Sequence, residues 1–335
     1  MEHTLQRNLF LQLDLGRSLS AEHTGLLRTA ACFTSEELTV FVALSNIPDI
    51  DRSNGWTQMQ RRIAELYAVT TSQALQTQSA LTIDVIPLDF SSYTADDMEP
   101  YLRHPTHATA KDSAILPVWW PSEMRFNVIE HGSTSAPSAK SLTGTQADTQ
   151  QQSTRTATPW PSYSHVAVGG TFDHLHVGHK ILLTATALAA TKRVVCGISA
   201  DALLVNKKYK ELLESYRMRE LHVLLFLRKI RKDLIVELVP LYDPYGPTAS
   251  DASIEALVVS QETLQSAGAL NVRRSENNMP PMHLMSIDLL ATTRAIDSSL
   301  SHDNHASVSL ENTPLKISST AIRAALAEKQ KRVSR

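Results

Sequence analysis

The second half of the chain alternates between short apolar runs and longer segments in which apolar residues recur at helical spacing. This alternation predicts strands at 165–168, 193–199, 234–241, 254–260 and 282–290. It predicts helices at 177–191, 215–232, 263–277 and 319–331. Strands that alternate with helices indicate parallel βαβ units with helices on both faces of the sheet. We therefore predict an α/β fold with a doubly wound parallel sheet.

The helix predicted at 215–232 has apolar positions that recur every three or four residues. This spacing is typical of an amphipathic helix that buries one face. The residues predicted to form one apolar stripe on it are Met218, Leu221, Leu224, Leu225 and Ile230.

The first 128 residues show a weaker pattern. Segments 38–44 and 81–90 have the character of strands and segment 56–76 that of a helix, which predicts a smaller α/β region. The region contains neither a phosphate-binding loop nor a cluster of metal-ligand residue types. A packing or interaction role is therefore the expectation for it.

Residues 131–160 form the clearest boundary, because sixteen of these thirty residues are Ser, Thr or Gln and large apolar side chains are scarce. Such a segment cannot bury enough apolar surface to offset the entropy lost on ordering, so it is predicted to be a disordered linker. The predicted organisation is an N-terminal α/β region at 1–128, the linker at 129–160 and a C-terminal domain at 161–335.

Composition excludes several classes of protein. The 335 residues are 42% hydrophobic and 20% charged, as in an ordinary globular chain. No apolar run reaches the roughly 18 residues of a membrane helix, and the first residues lack the apolar core of a signal peptide. The two cysteines, Cys32 and Cys196, fit a reducing compartment. We therefore expect a cytoplasmic protein that does not engage a membrane.

Charge is distributed unevenly along the chain. Residues 161–335 carry 21 Lys and Arg against 17 Asp and Glu, whereas the first 160 residues are net acidic. A mildly basic domain suits a phosphorylated substrate, but the excess is too small to indicate nucleic-acid binding. We expect no nucleic-acid partner.

The segment GGTFDHLHVGH, residues 169–179, lies where a predicted strand passes into a predicted helix. Free backbone N–H groups and the helix dipole favour an anion at such a helix start. Gly169 and Gly170 are expected to let the chain turn sharply and to let a ligand approach the backbone. His176 and His179 are three residues apart, which places them on nearly the same side of the first turn. Two imidazoles there can donate hydrogen bonds to phosphoryl oxygens.

The two histidines also admit other interpretations. Histidines at this spacing are common on helix surfaces and in cores without any ligand. A zinc site would need a third ligand at suitable spacing, and Cys196 lies on a predicted strand with no such ligand near it. The strand–loop–helix context is what favours a phosphate site.

A second segment, KISSTAIR at 316–323, leads into the last predicted helix. Ser318 or Ser319 is a natural N-cap for that helix. The hydroxyls and the free amides of this helix end can hold phosphates, with Arg323 one turn further along.

Together these segments resemble the HxGH nucleotidyltransferase superfamily and, within it, the eukaryotic type of phosphopantetheine adenylyltransferase. Four further segments match that family: NKK at 206–208, YRMR at 216–219, DPYGPT at 243–248 and VSQET at 259–263. The resemblance spans residues 165–326 and implies a Rossmann-like nucleotidyltransferase domain. It implies adenylyl transfer from ATP, usually with Mg²⁺, to 4′-phosphopantetheine, giving dephospho-coenzyme A and pyrophosphate in coenzyme A synthesis.

The resemblance also implies roles for individual residues. The catalytic residues would be His179, which stabilises the transition state, together with His176 and Lys207. The residues implied to bind ATP are Gly169, Gly170, His176, His179, Arg274, Ser318, Ser319, Thr320 and Arg323. The residues implied to bind the acceptor are Thr171, Asp173, Lys207, Lys208, Asp243, Thr248 and Asn271.

Some of these assignments have direct competitors. Arg273 is as well placed in the sequence as Arg274 for the basic contact on the helix after VSQET, and a solvated helix face is a further interpretation. Pro244 and Pro247 are also typical of a simple turn, rather than of a wall of an acceptor pocket.

Other functions compete with the implied one. A nicotinamide mononucleotide adenylyltransferase shares ISST-x-x-R, but its first motif typically reads GSFNP where this chain has GTFD. Cytidylyltransferases usually carry an RTEGIS-like second motif, which is missing here. A non-catalytic nucleotide-binding scaffold is disfavoured by the intact motifs.

The sequence contains no phosphate-binding loop of the form G-x-x-x-x-G-K-[ST], which a second, kinase activity would need. We therefore expect a monofunctional enzyme. We expect the N-terminal region to be the contact for other enzymes of coenzyme A synthesis.

Overall fold

A computed structural model of the chain describes residues 6–14, 21–43, 55–76, 81–87, 107–109, 160–288 and 318–333. The predicted linker lies outside these residues except for Trp160, so its disorder stays a prediction. Among the helices of the described residues, none combines the length and apolarity that crossing a bilayer requires.

The N-terminal unit, which is the described part of residues 6–109, contains a parallel sheet of four strands. Its elements are β1 (Gln6–Asp14), α1 (Ala21–Phe33), β2 (Thr34–Ala43), α2 (Gly55–Gln76), β3 (Thr82–Pro87) and β4 (His107–Thr109). The strand order is β3-β2-β1-β4, with every pair parallel. The predicted smaller α/β region is therefore present, although β1, α1 and β4 have no counterpart in the predicted pattern.

The C-terminal unit, which is the described part of residues 160–333, contains a parallel sheet of five strands. Its elements are β5 (Tyr163–Gly170), α3 (Val177–Ala189), β6 (Ala190–Ser199), α4 (Tyr216–Ile230), β7 (Ile235–Leu241), β8 (Ala256–Ser260), α5 (Leu264–Glu276), β9 (His283–Ile287) and α6 (Ser319–Val333). The strand order is β7-β6-β5-β8-β9. This confirms the predicted doubly wound fold, with element ends shifted by a few residues.

Helices cover both faces of the five-stranded sheet. Alternate residues of each strand point to opposite faces, so each strand contributes to two layers of packing. Val166, Val168 and Cys196 belong to the core shared with α3 and α4, whereas Ala167 and Val195 pack with the residues of α5. The chain runs from β5 outward to β7 on one side and returns to β8 and β9 on the other. The strand order therefore reverses between β5 and β8, where open α/β sheets bind ligands at the carboxyl ends of their strands.

Helix α3 is buried almost all round, since every residue in it except Val177 and His179 is buried. One side of the helix packs on the sheet, and α2 of the N-terminal unit covers another. A single core runs through both units and includes Leu27 and Tyr67 together with Leu183. The apolar character of α3 therefore reflects two neighbours rather than one.

Polar and aromatic contacts also join the two units at β9. Trp56 Nε1 donates to the carbonyl of Ser286 over 2.9 Å, and Gln60 Nε2 donates to the same oxygen over 3.3 Å. The backbone N–H of Asp288 donates to Gln60 Oε1 over 3.1 Å. The rings of Trp56 and Trp160 meet edge-on with centroids 6.5 Å apart. The N-terminal unit is thus docked on the C-terminal unit along α3 and at β9, and Lys229 of α4 also contacts it at Glu37 and Asp84.

The apolar stripe predicted for α4 is wrong for most of its members. Met218, Leu221 and Leu225 are 44%, 43% and 53% exposed. The residues that the helix buries are Arg219, Val223, Phe226, Leu227 and Ile230. Arg219 takes a core position because its guanidinium finds hydrogen-bond partners there, which a pattern of apolar residues cannot register.

We expect a fragment of residues 160–335 to be much less stable than the whole chain, because loss of the N-terminal unit exposes one side of α3 to water. The midpoint of thermal unfolding should fall by roughly 10 °C or more, since each kcal/mol shifts a domain of this size by about 2–4 °C. Circular dichroism of both chains during heating measures the difference. Equal midpoints would show that the two units are energetically independent.

Candidate active site

His176 and His179 lie at the start of α3, on the carboxyl side of the sheet. Their rings stack with centroids 3.8 Å apart and planes inclined by 22°. The Lys180 N–H donates to the His176 carbonyl over 3.0 Å and closes the first turn. The His176 side chain does not cap the helix. The predicted common direction of the two imidazoles is confirmed, at a helix start that favours an anion.

Both imidazoles are held in the neutral form. Burial lowers the pKa of His176 from 6.5 to about 4, and nearby Asp173 offsets this only in part. Burial, and then the neighbouring His176, lower the pKa of His179 well below 6.5. The Nδ1 atoms of both rings are buried without a hydrogen-bond partner among the residues that the structure describes. A neutral imidazole has one N–H donor, and a buried nitrogen without a partner is a feature of sites that a ligand completes.

The loop between β5 and α3 is turned by Phe172 and His174, whose φ angles are 52° and 45°. The prediction that Gly169 and Gly170 make this turn is wrong, because neither has a positive φ. Gly170 lies close to the loop in another way, since a Cβ there would lie 3.1 Å from Cζ of the Phe172 ring and would require that ring to shift by a few tenths of an ångström. The backbone N–H of His174 donates to Glu214 Oε2 over 2.7 Å, which helps to hold this residue in the left-handed region.

Asp173 and Arg323 form a buried ion pair that joins this loop to α6. Arg323 Nη1 donates to Asp173 Oδ2, and the Glu214 N–H donates to Asp173 Oδ1 over 2.8 Å. Arg323 Nε donates to the carbonyl of Lys208 over 3.1 Å. The pair therefore holds together the loop before α3, the loop after β6 and the start of α6.

These contacts bear on the predicted roles of both residues. Each carboxylate oxygen of Asp173 already accepts a hydrogen bond from the protein, so the structure assigns this residue to the architecture of the site and not to the acceptor. The guanidinium of Arg323 donates to Asp173, Lys208 and Thr320. A contact between Arg323 and ATP phosphates stays a prediction.

The start of α6 faces the loop that leads into α3. Ser318 is the N-cap, since the Ala321 N–H donates to its Oγ over 3.3 Å. Ser319, the other predicted cap, instead donates from Oγ to the carbonyl of Asp173 over 2.8 Å. Thr320 is exposed next to them. Two helix N-termini are thus brought to one place.

Lys207 and Lys208 lie on the loop after β6 with exposed side chains. The loop backbone is held by the Lys207 N–H, which donates to the Leu204 carbonyl over 3.0 Å, and by the contact of Lys208 with Arg323. The two lysines are therefore anchored close to α6 through their backbone, while their ammonium groups stay accessible to a ligand.

A cavity of about 490 Å³ opens at the carboxyl ends of β5, β6, β7 and β8. This volume is typical of a small-molecule site, and its place is the strand-order reversal between β5 and β8. Its walls are mostly apolar. Of the predicted site residues, those that line it are Gly169, Gly170, Asp243 and Thr248. The imidazoles of His176 and His179 are not part of its wall.

The DPYGPT segment forms one wall of the cavity. Asp243 Oδ1 accepts from the Gly246 N–H over 2.8 Å and from the Tyr245 N–H over 2.7 Å, and these two bonds lower the pKa of the carboxyl. Thr248 Oγ1 donates to the Tyr245 carbonyl. The turn interpretation and the pocket interpretation are therefore compatible, because the turn itself lines the cavity.

Comparison with known proteins decides the family. The family described as Cytidylyltransferase-like matches residues 167–325. A relative from Methanopyrus kandleri named phosphopantetheine adenylyltransferase is 38% identical over 130 residues, which are 39% of this chain and 82% of the relative. The chain belongs to the phosphopantetheine adenylyltransferase family.

Two fungal relatives match over a smaller share of their length. A phosphopantetheine adenylyltransferase of Saccharomyces cerevisiae is 49% identical over 124 residues, which are 37% of this chain and 41% of the relative. An uncharacterised protein of Schizosaccharomyces pombe is 43% identical over 162 residues, which are 48% of each chain. The chain thus spans less than half the length of these two relatives.

Arg274, predicted as an ATP contact, is fully buried and serves the packing of α5. Its N–H groups donate over 2.7–3.2 Å to the carbonyls of Thr248, Asp251, Ile254 and Pro280. The structure therefore corrects this assignment. The competing Arg273 is exposed, and its guanidinium lies 4.7 Å from the ring centroid of Tyr245, which lines the cavity.

Asn271, predicted as an acceptor contact, is also structural. Its Nδ2 donates to the Met282 carbonyl and its Oδ1 accepts from the Met282 N–H, both over 2.9 Å. The amide group thus ties α5 to the segment before β9, and Asn271 is not part of the cavity wall. The residue type and the spacing favoured a ligand contact, but the backbone of Met282 binds both the N–H donor and the oxygen of the Asn271 side chain.

Arg219 is a residue of the site that motif reasoning did not assign to a role. Its fully buried guanidinium donates to the carbonyls of Thr171, Ser199 and Glu214 and to Asp201 Oδ1 over 2.8–3.1 Å. It therefore fixes the backbone of Thr171, the predicted acceptor contact, against the end of β6. The signal that could have found it is a basic residue on the core face of α4.

Mg²⁺ is the ion that the family resemblance implies. Among the described residues no three His, Cys, Asp or Glu side chains are grouped to hold a metal ion. Mg²⁺ loses its water reluctantly and is commonly bound together with substrate phosphates. A requirement for Mg²⁺ together with ATP stays a prediction.

The depressed pKa of His176 predicts acid sensitivity. In the unfolded chain the imidazole binds a proton near pH 6.5, whereas in the folded chain it does so only near pH 4. Acid therefore favours unfolding, and the free energy of unfolding should decline as the pH falls from 6.5 towards 4. Urea unfolding at several pH values should show a shallower decline for His176→Gln than for the wild type. An identical decline in both would contradict the buried neutral imidazole.

Substitution of Arg274 separates packing from ligand binding. Arg274→Leu should lower the free energy of unfolding by roughly 3 kcal/mol, because four carbonyls lose their donor. The KM for ATP of the folded protein should stay unchanged. Arg273→Leu is the matched control on the same helix and should leave stability within about 0.5 kcal/mol. Urea unfolding and steady-state kinetics give both quantities, and a raised KM with intact stability for Arg274→Leu would restore the ligand role.

Proposed function

We propose that this chain transfers the adenylyl group of ATP to 4′-phosphopantetheine, giving dephospho-coenzyme A and pyrophosphate. The convergence of two helix N-termini supports the proposal most directly, since α3 with its two neutral imidazoles meets α6 through Asp173 and Arg323. Each terminus favours an anion, so the pair suits a polyphosphate. Family membership supplies the substrate class, because the relatives from Methanopyrus kandleri and Saccharomyces cerevisiae carry the name of this activity.

The chemistry is a direct displacement at phosphorus. An oxygen of the acceptor phosphate forms a bond to the α-phosphorus of ATP, while the bond from that phosphorus to the bridging oxygen of the β-phosphate breaks and pyrophosphate leaves. No covalent enzyme intermediate is needed, and the hydrogen bonds in the described part of the site include no nucleophile–base pair that would make one. Catalysis then consists of positioning and of stabilising the charge that develops on the oxygens.

The side chains of the site divide this work. His179 donates its single N–H to an oxygen of the reacting phosphorus, and His176 stacks against it and serves the neighbouring phosphates. Lys207, with Lys208 beside it, draws the acceptor phosphate and the α-phosphate together. A neutral imidazole suits this role because the hydrogen bond from its N–H strengthens as negative charge builds up on the phosphoryl oxygens.

The cavity is the place for the arm of the acceptor. The pantetheine arm carries methyl groups and two amides, and the mostly apolar wall formed by the ends of β5 to β8 matches such a chain. Thr171 lies between the cavity wall at Gly170 and the loop that leads to His176, so an acceptor phosphate bound there would face the imidazoles. Ser318, Ser319 and Thr320 would hold the β- and γ-phosphates on the other side.

His179→Ala tests the proposed transition-state role. Loss of this donor should lower kcat by about 10²–10³-fold and leave the fold intact, as does loss of one oxyanion donor in other enzymes. Pyrophosphate release from ATP and 4′-phosphopantetheine measures kcat. The control is His283→Ala, which removes an exposed histidine at the opposite end of the sheet and should keep full activity.

The same assay separates the competing functions. Turnover with nicotinamide mononucleotide and not with 4′-phosphopantetheine would identify the other adenylyltransferase. Tight ATP binding without release of pyrophosphate for any acceptor would identify a scaffold. An effect of His179→Ala on KM alone would contradict the transition-state role.

A further inference from the structure

The residue that follows His179 reaches out of the C-terminal unit. Lys180 Nζ donates to Asp84 Oδ1 over 2.6 Å and to the carbonyl of Ile83 over 2.7 Å, both on β3 of the N-terminal unit. The two charged side chains are 8% and 4% exposed. The first turn of α3 therefore carries the two imidazoles and also a buried cation that is held by the other unit.

Asp84 holds a second helix of the C-terminal unit as well. Its Oδ2 accepts from Lys229 Nζ of α4 over 2.7 Å, and Lys229 also contacts the partly exposed Glu37. Burial alone raises the pKa of Asp84, but Lys180 and Lys229 outweigh it and the pKa is lowered. Asp84 is therefore a charged, bridging carboxylate in which each oxygen binds a different helix.

Loss of Asp84 would leave the ammonium of Lys180 buried without its counter-charge. A buried charge without a partner is strongly unfavourable, so the group must move to reach water. Lys180 directly follows His179 and its backbone N–H donates to the carbonyl of His176, so a movement of Lys180 towards water would be transmitted to the first turn of α3. A displacement of about 1 Å in reacting groups costs on the order of 10²-fold in rate.

We propose that Asp84 is a positioning residue for adenylyl transfer, which acts through Lys180 to fix the first turn of α3 and hence His176 and His179. The inference rests on the function proposed above. It gives the N-terminal unit a part in the reaction itself, besides its contribution to the core. The polar contacts of Trp56 and Gln60 with the C-terminal unit end on Ser286 and Asp288, at the end of β9, and not on α3.

Asp84→Asn in the full-length chain tests the proposal. This change keeps the size of the side chain and removes its charge, so kcat should fall by about 10- to 100-fold while the KM for each substrate stays close to that of the wild type. Glu37→Gln is the matched control, because it neutralises the other acidic partner of Lys229 at the same contact between the two units and leaves Lys180 unchanged. It should keep the wild-type kcat.

A second variant guards against loss of the fold. Lys180→Gln removes the same buried ion pair from the opposite side and leaves no unpaired cation, so it should fold even where Asp84→Asn does not. It should also lower kcat, since the first turn of α3 loses its tie to β3. Wild-type kcat in folded Asp84→Asn or in Lys180→Gln would overturn the proposal.

Imidazole signals in nuclear magnetic resonance give a readout that does not depend on turnover. In the nucleotide-free full-length chain, Asp84→Asn and Lys180→Gln should shift the ring signals of His176 and His179, whereas Glu37→Gln should leave them in place. Unmoved signals in the first two variants would refute the positioning role. Absence of pyrophosphate release by the wild type would refute the proposed function alone, and the ring signals would still decide whether Asp84 positions α3.

Discussion

The buried pair of Asp173 and Arg323 is the interaction on which the site depends. It joins three separate segments, which are the loop before α3, the loop after β6 and the start of α6. Neither charge could stay buried without the other, because the desolvation of a lone ion costs far more than a fold can supply. The pair therefore makes the assembly of the site conditional on the docking of the last helix, which is far away in the sequence.

Arg219 and Arg274 apply the same principle on the two sides of the cavity. Each buried guanidinium satisfies several backbone carbonyls at once, Arg219 around Thr171 and Arg274 around the segment that follows the DPYGPT turn. Loops carry unpaired carbonyls, and a planar cation with five N–H donors can gather several of them. The buried arginines thus hold the frame of the site, whereas the side chains of Lys207 and Lys208 are exposed.

Helix α3 connects the frame to the N-terminal unit. It is buried between the five-stranded sheet and α2 of the N-terminal unit, and its first turn carries histidines on one side and a lysine on the other. Its nearly uniform apolar sequence is what a helix with two packing neighbours requires. The ion pairs of Asp84 with Lys180 and Lys229 and the apolar contacts with α2 join the two units along this helix. The first turn of α3 is therefore held by residues of both units.

The sequence by itself determined the strands and helices of the C-terminal unit, its doubly wound sheet and the two helix starts at which the candidate site lies, because hydrophobic period and capping residues are local signals that survive without tertiary contacts. It could not determine which polar side chains the fold would use for itself. Asp173, Asn271 and Arg274 have the residue types of ligand contacts, yet their hydrogen-bonding groups are used by other atoms of the protein. Asn271 pairs with a residue 11 positions away in the sequence, and Asp173 with Arg323, 150 positions away. The buried face of α4 and the bond between Lys180 and Asp84 were likewise decided only by tertiary structure, since burial and pairing depend on which surfaces meet in space.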